Sequence, residues 1–287
     1  MPSIEALPHQ TLPVAGEWEK PEGSVNRTVE RWREGGHERC ADLLAEEVPV
    51  ALSYNGEAFA VMMLTPCDLE DFALGFSLTE GLVAAPHELL GVRRQDRLEG
   101  IELEIAIPPD RMTQLARNER TLEGRSGCGL CGSRRLEQVV RHHPPVGKGP
   151  RVAAACLYAA LDAMRARQRL NQATGATHAA AWADAEGAIV TVREDVGRHN
   201  ALDKLIGNLA RSGFDPDSGF LLLTSRASYE MVMKAASAGI AFVAAVSGAT
   251  ALAASLADGA GITLVGYARR TGCTVYTHPG RYVGAAP

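Results

Sequence analysis

Two cysteines three positions apart, Cys128 and Cys131, form the segment of this sequence best suited to chemistry. They lie in GRSGCGLCGS (residues 124–133), where glycines surround both thiols. Four interpretations are open: structural zinc ligands, a disulfide switch, a sulfur carrier, or two cysteines without a role. Zinc needs four ligands and the pair supplies two, although His142 and His143 could complete such a site. A thioredoxin-like dithiol would follow a buried strand directly, whereas the residues before this pair are charged.

A thiol that travels between a donor and an acceptor would account for the glycines. Glycine adopts backbone conformations that other residues avoid, so the loop could swing. Between Arg125 and Arg151 there are six Lys or Arg residues and one acid, Glu137. Nearby cations lower the pKa of a thiol from about 8.5 towards neutrality and raise the thiolate fraction that attacks or carries sulfur. In this interpretation one cysteine carries sulfur and the other resolves or shares it.

Polar segments that follow apolar strands form a second group with chemical potential. Three are conspicuous and a fourth is milder: REDVGRHN (193–200), TSRASYE (224–230), YARRTG (267–272) and VSGAT (246–250). In α/β proteins, ligands bind at the loops beyond the carboxyl ends of the strands. We therefore expect a ligand, and specifically a small anion, at these segments.

The first of these segments leads into a helix that Asn200 is placed to cap. Arg198 and His199 come just before it, where backbone N–H groups and the helix dipole favour an anion. On sequence alone, Asp195 and His199 are equally well explained as local hydrogen-bonding residues.

The second segment repeats the arrangement, with Ser225 and Arg226 between a buried strand and a helix. An ordinary serine cap without a ligand would produce the same sequence pattern. Arg269 and Arg270 follow the last clear strand. They lie in a stretch from Gly259 onward that has no Asp or Glu, which makes phosphate binding plausible there.

The elements before the cysteines predict an α+β unit. VPVALSYNGEAFAVMMLT reads as two strands around Asn55-Gly56, a strong hairpin signal. TPCDLEDFALGFSLTEG predicts a helix with Thr65 as its cap, Pro66 in its first position and Gly81 at its end. GIELEIAIPP alternates apolar and acidic residues and predicts a half-exposed strand.

Strands and helices alternate after the cysteines, which predicts an α/β unit with a parallel or mixed sheet covered on both faces. The polar, Pro/Gly-rich HHPPVGKGP marks the boundary between the two units. The predicted organisation is a flexible tail (1–24), an α+β domain (25–122), a mobile CxxC loop and linker (123–150) and an α/β domain (151–287).

Composition limits the class of protein. Six cysteines in 287 residues do not form a disulfide framework, and the N-terminus lacks the pattern of an export signal, so we expect a cytoplasmic protein with reduced thiols. Apolar runs are too short for a membrane span. The net charge of −5 disfavours nucleic-acid binding. The remaining four cysteines have no visible partner and are expected to be packing or surface residues: Cys40, Cys67, Cys156 and Cys273.

Several of these segments together resemble the FdhD/NarQ family of formate dehydrogenase accessory sulfurtransferases. They occur in the family's order: GCGLCG, REDVGRHNALDKLIG, SRASYEMVMKAASAGI and VYTHP. AEEVPVALSYNG and MLTPCDLEDFALGFSLTEG are similar to the family's N-terminal part, so the resemblance extends over residues 28–285.

The resemblance implies a sulfur carrier that takes persulfide sulfur from a cysteine desulfurase. It would deliver this sulfur to the molybdenum of a bis(molybdopterin guanine dinucleotide) cofactor destined for formate dehydrogenase. Cys128 would hold the persulfide and Cys131 would assist. The alternative function is a cofactor-binding chaperone that transfers no sulfur.

The resemblance also assigns the guanine-dinucleotide contacts. They fall on the segment Tyr267, Ala268, Arg269, Arg270, Thr271 and Gly272, with Arg198, His199, Ser225 and Arg226 as further candidates. It implies a homodimer, a cytidine-deaminase-like α/β/α fold for the C-terminal domain, and no tightly held metal of its own. The zinc-deaminase signature is missing, since no H-x-E occurs and the C-x-x-C precedes the domain.

Overall fold

The computed structural model describes residues 20–112 and 145–284. The strands in these two ranges are β1 (Ser24–Arg33), β2 (Gly36–Ala45), β3 (Val48–Tyr54), β4 (Glu57–Leu64), β5 (Gly91–Asp96), β6 (Ile101–Ala106), β7 (Val152–Ala153), β8 (His178–Asp184), β9 (Ile189–Asp195), β10 (Gly219–Leu223), β11 (Phe242–Ala245), β12 (Thr263–Arg269), β13 (Gly272–Thr277) and β14 (Tyr282–Val283). The α-helices are α1 (Leu69–Thr79), α2 (Ala154–Arg167), α3 (Arg169–Thr174), α4 (Arg198–Ser212), α5 (Tyr229–Ser237) and α6 (Ala251–Ala260).

The N-terminal strands form two sheets. β1 and β2 make an antiparallel hairpin, and four further strands form a sheet in the order β4-β3-β6-β5. The turn predicted between β3 and β4 is confirmed: Asn55 and Gly56 have φ values of 50° and 88°, as a two-residue hairpin turn requires. The predicted alternation of β6 is also confirmed, because Ile101, Leu103 and Ile105 are buried between less buried neighbours.

The predicted start of α1 is wrong. The helix begins at Leu69 after Asp68, whose φ of 51° lies in the left-handed region, and not at Pro66 behind a Thr65 cap. Thr65 is held elsewhere: its N–H donates to Asp195 Oδ2 at 3.0 Å, and its carbonyl accepts from Lys204 Nζ at 2.9 Å. The predicted end of the helix is confirmed at Gly81, which has a φ of 74°.

The C-terminal strands form one six-stranded sheet in the order β13-β12-β11-β10-β8-β9. β10, β11 and β12 are parallel, whereas β8, β9 and β13 join by antiparallel pairing, so the predicted mixed sheet is confirmed. One face packs against α4, α5 and α6 and the other against α2, which gives the predicted cover on both faces. The strand β13 was not predicted from the sequence.

Helix α4 starts two residues earlier than its predicted cap. Its N-cap is Gly197, so the prediction that Asn200 caps the helix is wrong. The Asn200 side chain is buried and donates to the carbonyl of Met63 at 2.9 Å and to Asp195 Oδ1 at 3.0 Å. The predicted apolar face is confirmed, with Leu202, Leu205, Ile206 and Leu209 all buried.

The N-terminal helix α1 packs directly on α4 of the C-terminal unit. The two backbones meet at glycines: a Cβ added to Gly75 would overlap the carbonyl of Asp203, and one added to Gly207 would overlap the carbonyl of Asp71. The same interface holds Lys234, which lies 3.0 Å from Asp203 and 3.1 Å from Glu80. The two units therefore share a close-packed boundary.

Within residues 20–112 and 145–284, every helix is either too short or too polar to span a lipid bilayer.

Candidate functional site

The cysteine pair Cys128 and Cys131 lies outside the described residues, as do His142 and His143. The candidate site is therefore built from the four polar segments. The described residues contain no group of three or more His, Cys, Asp or Glu side chains arranged to hold a metal ion.

The four polar segments meet at one edge of the six-stranded sheet. β9, β10, β11 and β12 all run in the same direction, so the residues after each strand emerge together. Ala227 forms a bridge with Ala249 and donates its N–H to the Gly248 carbonyl at 3.1 Å. The N–H of Tyr267 donates to the Ser247 carbonyl, also at 3.1 Å. We call this region, residues 195–200, 224–230, 246–250 and 267–272, the polar edge.

Three helices begin at the polar edge, and their first turns present backbone N–H groups that an α-helix leaves unpaired. Thr250 caps α6 by accepting a hydrogen bond from the N–H of Ala253 at 3.3 Å. Ser228 stands at the N-cap of α5 but makes no capping hydrogen bond, and its buried hydroxyl oxygen has no hydrogen-bond partner in the described structure. The start of α5 is therefore suited to an external anion.

Arg198 and His199 occupy the first turn of α4 rather than the loop before it. His199 Nε2 lies 2.6 Å from Glu230 Oε2 on α5. The angle at this contact is not that of a hydrogen bond, so Nε2 has no hydrogen-bond partner in the described structure. The Nε atom of Arg198 is buried and unpaired, and no ion pair forms at this side chain among the residues that the structure describes. An anion at the start of α4 would thus meet an arginine that pairs with no carboxylate in the described ranges.

Ser225 and Arg226 lie on the loop between β10 and α5. The Ser225 side chain is buried and its hydroxyl donates to the Arg226 carbonyl at 3.0 Å, so it supports the loop. The Arg226 side chain is exposed. Of these two candidates, Arg226 is the one whose side chain is accessible to a ligand.

The segment from Tyr267 to Gly272 ends β12 and forms the turn into β13. Tyr267 has a φ of 52°, and its ring lies against Gly248: a Cβ there would be 2.7 Å from the Tyr267 hydroxyl. The Ala268 side chain is buried in the core on the α2 side of the sheet.

The other four residues of the segment, 269–272, form the turn between β12 and β13. Arg270 points to α2, where Nε lies 2.7 Å from Asp162 Oδ2. Arg269 and Thr271 are exposed, and Gly272 pairs with Arg269 across the turn. The structure thus brings Tyr267 into the polar edge and turns the Ala268 and Arg270 side chains away from it.

A buried ion pair lies next to the start of α4 and stabilises it. Lys204 Nζ lies 2.7 Å from Asp195 Oδ2, and neither side chain is exposed. Asp195 Oδ1 also accepts from the N–H of Gly197 at 2.8 Å, which fixes the turn between β9 and α4. The structure therefore places Asp195 as a structural hydrogen-bonding residue, one of the two roles the sequence left open.

Three residues of this region were missed or given no role by the sequence. Lys204 stood between apolar residues of the predicted helix, and a lysine on a buried face was the only signal available. His178 gave no signal, because it begins a strand with no recognisable motif. Cys67 lies 3.8 Å from Lys204 Nζ, but burial raises the pKa of its thiol to about 11, so the thiol stays protonated at neutral pH.

Comparisons with known proteins agree with this architecture. A model of the FdhD/NarQ family matches residues 45–283. A "Sulfur carrier protein FdhD" from Xanthomonas campestris pv. campestris (strain B100) is 56% identical over 259 residues, which cover 90% of this chain and 92% of that protein. The protein of the same name from Cupriavidus necator (strain H16) is 51% identical over 267 residues, 93% of this chain and 92% of its own.

A solved structure has the same fold. The crystal structure of a putative formate dehydrogenase accessory protein from Desulfotalea psychrophila superposes with a TM-score of 0.70 at 22% identity, over 91% of this chain and 99% of that one. The family match covers most of the chain, and the curated relatives are similar over nearly their whole length. The chain belongs to the FdhD/NarQ family.

Proposed function

We propose that this protein is a sulfur carrier for the maturation of formate dehydrogenase. It accepts persulfide sulfur from a cysteine desulfurase on Cys128, with Cys131 assisting, and passes it to the molybdenum of a bis(molybdopterin guanine dinucleotide) cofactor. The observation that carries the proposal is the identity of 51–56% with relatives named sulfur carrier protein FdhD, over at least 90% of the chain.

Sulfur loading follows from thiol chemistry. The Cys128 thiolate attacks the terminal sulfur of the desulfurase persulfide, a new S–S bond forms, and the desulfurase cysteine leaves as a thiolate. The cations between Arg125 and Arg151 favour this step because they stabilise the thiolate of Cys128.

The polar edge supports the binding of the cofactor as a substrate. A guanine dinucleotide carries pyrophosphate groups, which helix N-termini and arginines bind. Such a ligand fits the starts of α4 and α5, the exposed Arg226 and Arg269, and Arg198, whose Nε atom has no partner among the described residues. In this proposal Tyr267 and the backbone of residues 268–272 contact the nucleotide, whereas Arg270 first has to leave Asp162.

Five further features belong to the same proposal. The protein acts in the cytoplasm as a homodimer and hands the sulfurated cofactor to formate dehydrogenase. The C-terminal unit is a cytidine-deaminase-like α/β/α domain, which the helices on both faces of its mixed sheet support. The chain divides near residues 123–150.

Mass spectrometry of the intact protein tests the carrier role. The reduced protein is incubated with an active cysteine desulfurase and cysteine, and the product is mapped by peptides. We expect one additional sulfur atom on the peptide that holds Cys128 and Cys131, lost on treatment with a thiol reductant. Cys128→Ala should abolish both the gain and the activation of formate dehydrogenase, whereas the control Cys40→Ala, on β2, should leave both intact.

Two outcomes would favour a different function. If neither cysteine gains sulfur and replacing both leaves activation intact, the protein acts as a cofactor chaperone that moves no sulfur. In that case replacing Arg269 and Arg270 should still abolish activation. Zinc bound in a one-to-one ratio, with unfolding on chelation, would instead show that the cysteines form a structural metal site.

A further inference from the structure

His178 lies at the polar edge, although no sequence motif marks it. It is the first residue of β8, paired with Asp195 at the end of β9. Its neighbour Ala179 is bonded to Thr224, whose N–H donates to the Ala179 carbonyl at 3.1 Å and whose hydroxyl accepts from the Ala179 N–H at 2.9 Å. The half-buried His178 therefore sits between the strand that leads into α4 and the loop that leads into α5.

Charged groups of both signs surround His178. The Arg198 guanidinium, in the first turn of α4, disfavours a charged imidazole, and the Asp195 carboxylate favours one. Asp195 is already paired with Lys204, so it offsets the charge of Arg198 only in part. Further titratable groups on the adjoining elements include Glu194, which accepts from the backbone of α3, Arg226 on the next loop, and Glu230, which lies against His199.

These surroundings favour the neutral form of His178 in the free protein. Burial lowers the pKa of His178, and the positive charge of Arg198 lowers it further. A phosphate group at the start of α4 would supply negative charge next to the same imidazole and remove this penalty. Protonation of His178 would then add a charged hydrogen-bond donor to the site.

We propose that His178 is a further phosphate-binding residue of the polar edge, which takes up a proton when a pyrophosphate-bearing nucleotide binds. The inference rests on the proposed function, because it assumes that the nucleotide part of the cofactor binds at this edge. It adds a residue and a protonation step that neither the family resemblance nor the sequence pattern assigns.

Calorimetric titration of the full-length protein with GDP at pH 7 tests the inference. Binding is measured in two buffers of different ionisation enthalpy, and the difference in heat gives the protons taken up. We expect proton uptake with the wild-type protein, and at most about half as much with His178→Asn, accompanied by weaker binding. The matched control is His278→Asn, since His278 lies beside Asp258 at the opposite edge of the sheet, and it should behave as wild type.

The outcomes separate this inference from the proposed function. If GDP binds and His178→Asn takes up as many protons as the wild-type protein, the role of His178 is overturned while the nucleotide site stands. If the wild-type protein binds neither GDP nor inorganic pyrophosphate, both fall.

A second measurement needs no variant. In wild-type protein labelled with ¹⁵N-histidine, GDP at pH 7 should convert one of the eight imidazoles from neutral to protonated. Unchanged ring resonances in the presence of saturating GDP would also overturn the inference.

Discussion

At the scale of single residues, the polar edge combines groups that are already satisfied with groups that lack a partner. Asp195 accepts hydrogen bonds from the N–H of Gly197, in the turn into α4, and from the side chain of Asn200. Asn200 also donates to the carbonyl of Met63. Arg198 and Ser228 have buried polar atoms that nothing in the described ranges satisfies. Because unpaired buried polar groups cost free energy, a ligand that binds near them gains affinity from relieving that cost.

Arg198→Ala should weaken the binding of GDP by about tenfold or more, because one charge-assisted contact to a phosphate is lost. Equilibrium titration of the variant measures the change in Kd. Arg211→Ala is the control: this arginine lies at the far end of α4, close to Glu70 and Asp71, and should leave the Kd unchanged. Equal affinities of Arg198→Ala and the wild-type protein would remove Arg198 from the site.

The stability of the protein should depend on the protonation of His178. Its folded pKa lies below the unfolded value near 6.5, so the unfolded chain binds the proton more tightly. The contribution of His178 to the free energy of unfolding is therefore present above about pH 6.5 and lost as the pH falls towards the folded pKa. Urea unfolding from pH 7.5 to 5 should show a smaller decline for His178→Asn than for wild type, and an identical decline would contradict this.

At the scale of elements, the crossing of α1 and α4 decides how the N-terminal unit sits on the sheet. Gly75 and Gly207 lie where the two backbones meet, and neither position has room for a side chain. The contact holds the segment from Thr65 to Thr79 against the helix that begins with Arg198. The polar edge therefore depends on an element from the other half of the chain.

Gly207→Ala should destabilise the protein by about 1–3 kcal/mol or more, because the added methyl group meets the backbone of α1. Gly259→Ala is a matched control in α6, where an added Cβ meets nothing within 4 Å. It should stabilise the protein by about 0.5–1 kcal/mol, as alanine favours a helix over glycine. Urea unfolding of both variants measures the two changes, and similar values would contradict a close-packed crossing.

At the scale of the whole molecule, buried charges tie the N-terminal part to the C-terminal sheet. The Lys204 ammonium group contacts Asp195 and the carbonyl of Thr65, and Lys234 contacts Glu80, Asp203 and the hydroxyl of Thr79. Each cluster joins residues of both units. Loss of either would weaken the boundary and not only one domain.

Lys204→Met should cost about 3–5 kcal/mol of unfolding free energy, because Asp195 is left buried without its cation. The double variant Lys204→Met/Asp195→Asn removes both charges and should recover part of the loss. Chemical unfolding followed by far-UV circular dichroism measures both. If the double variant is less stable than Lys204→Met by the full cost of a second deletion, the two residues are not coupled.

The sequence alone determined the features that depend on neighbouring residues. The turn at Asn55-Gly56 follows from the left-handed conformation that these residue types accept, and the end of α1 follows from the same property of Gly81. The alternation of apolar strands with helices predicted the mixed sheet and the position of 193–200, 224–230, 246–250 and 267–272 beyond the carboxyl ends of its strands. Both are periodic or local properties, which the order of residues contains directly.

Only the tertiary structure decided which groups those segments present. Thr65 does not cap α1 because its hydroxyl oxygen accepts from the N–H of Val196, 131 positions later, and Asn200 does not cap α4 because it binds the Met63 carbonyl, 137 positions earlier. His178 enters the polar edge through the pairing of β8 with β9, and Arg270 turns from it towards Asp162 on α2. Each outcome depends on a contact with a residue on another element, which no local pattern specifies.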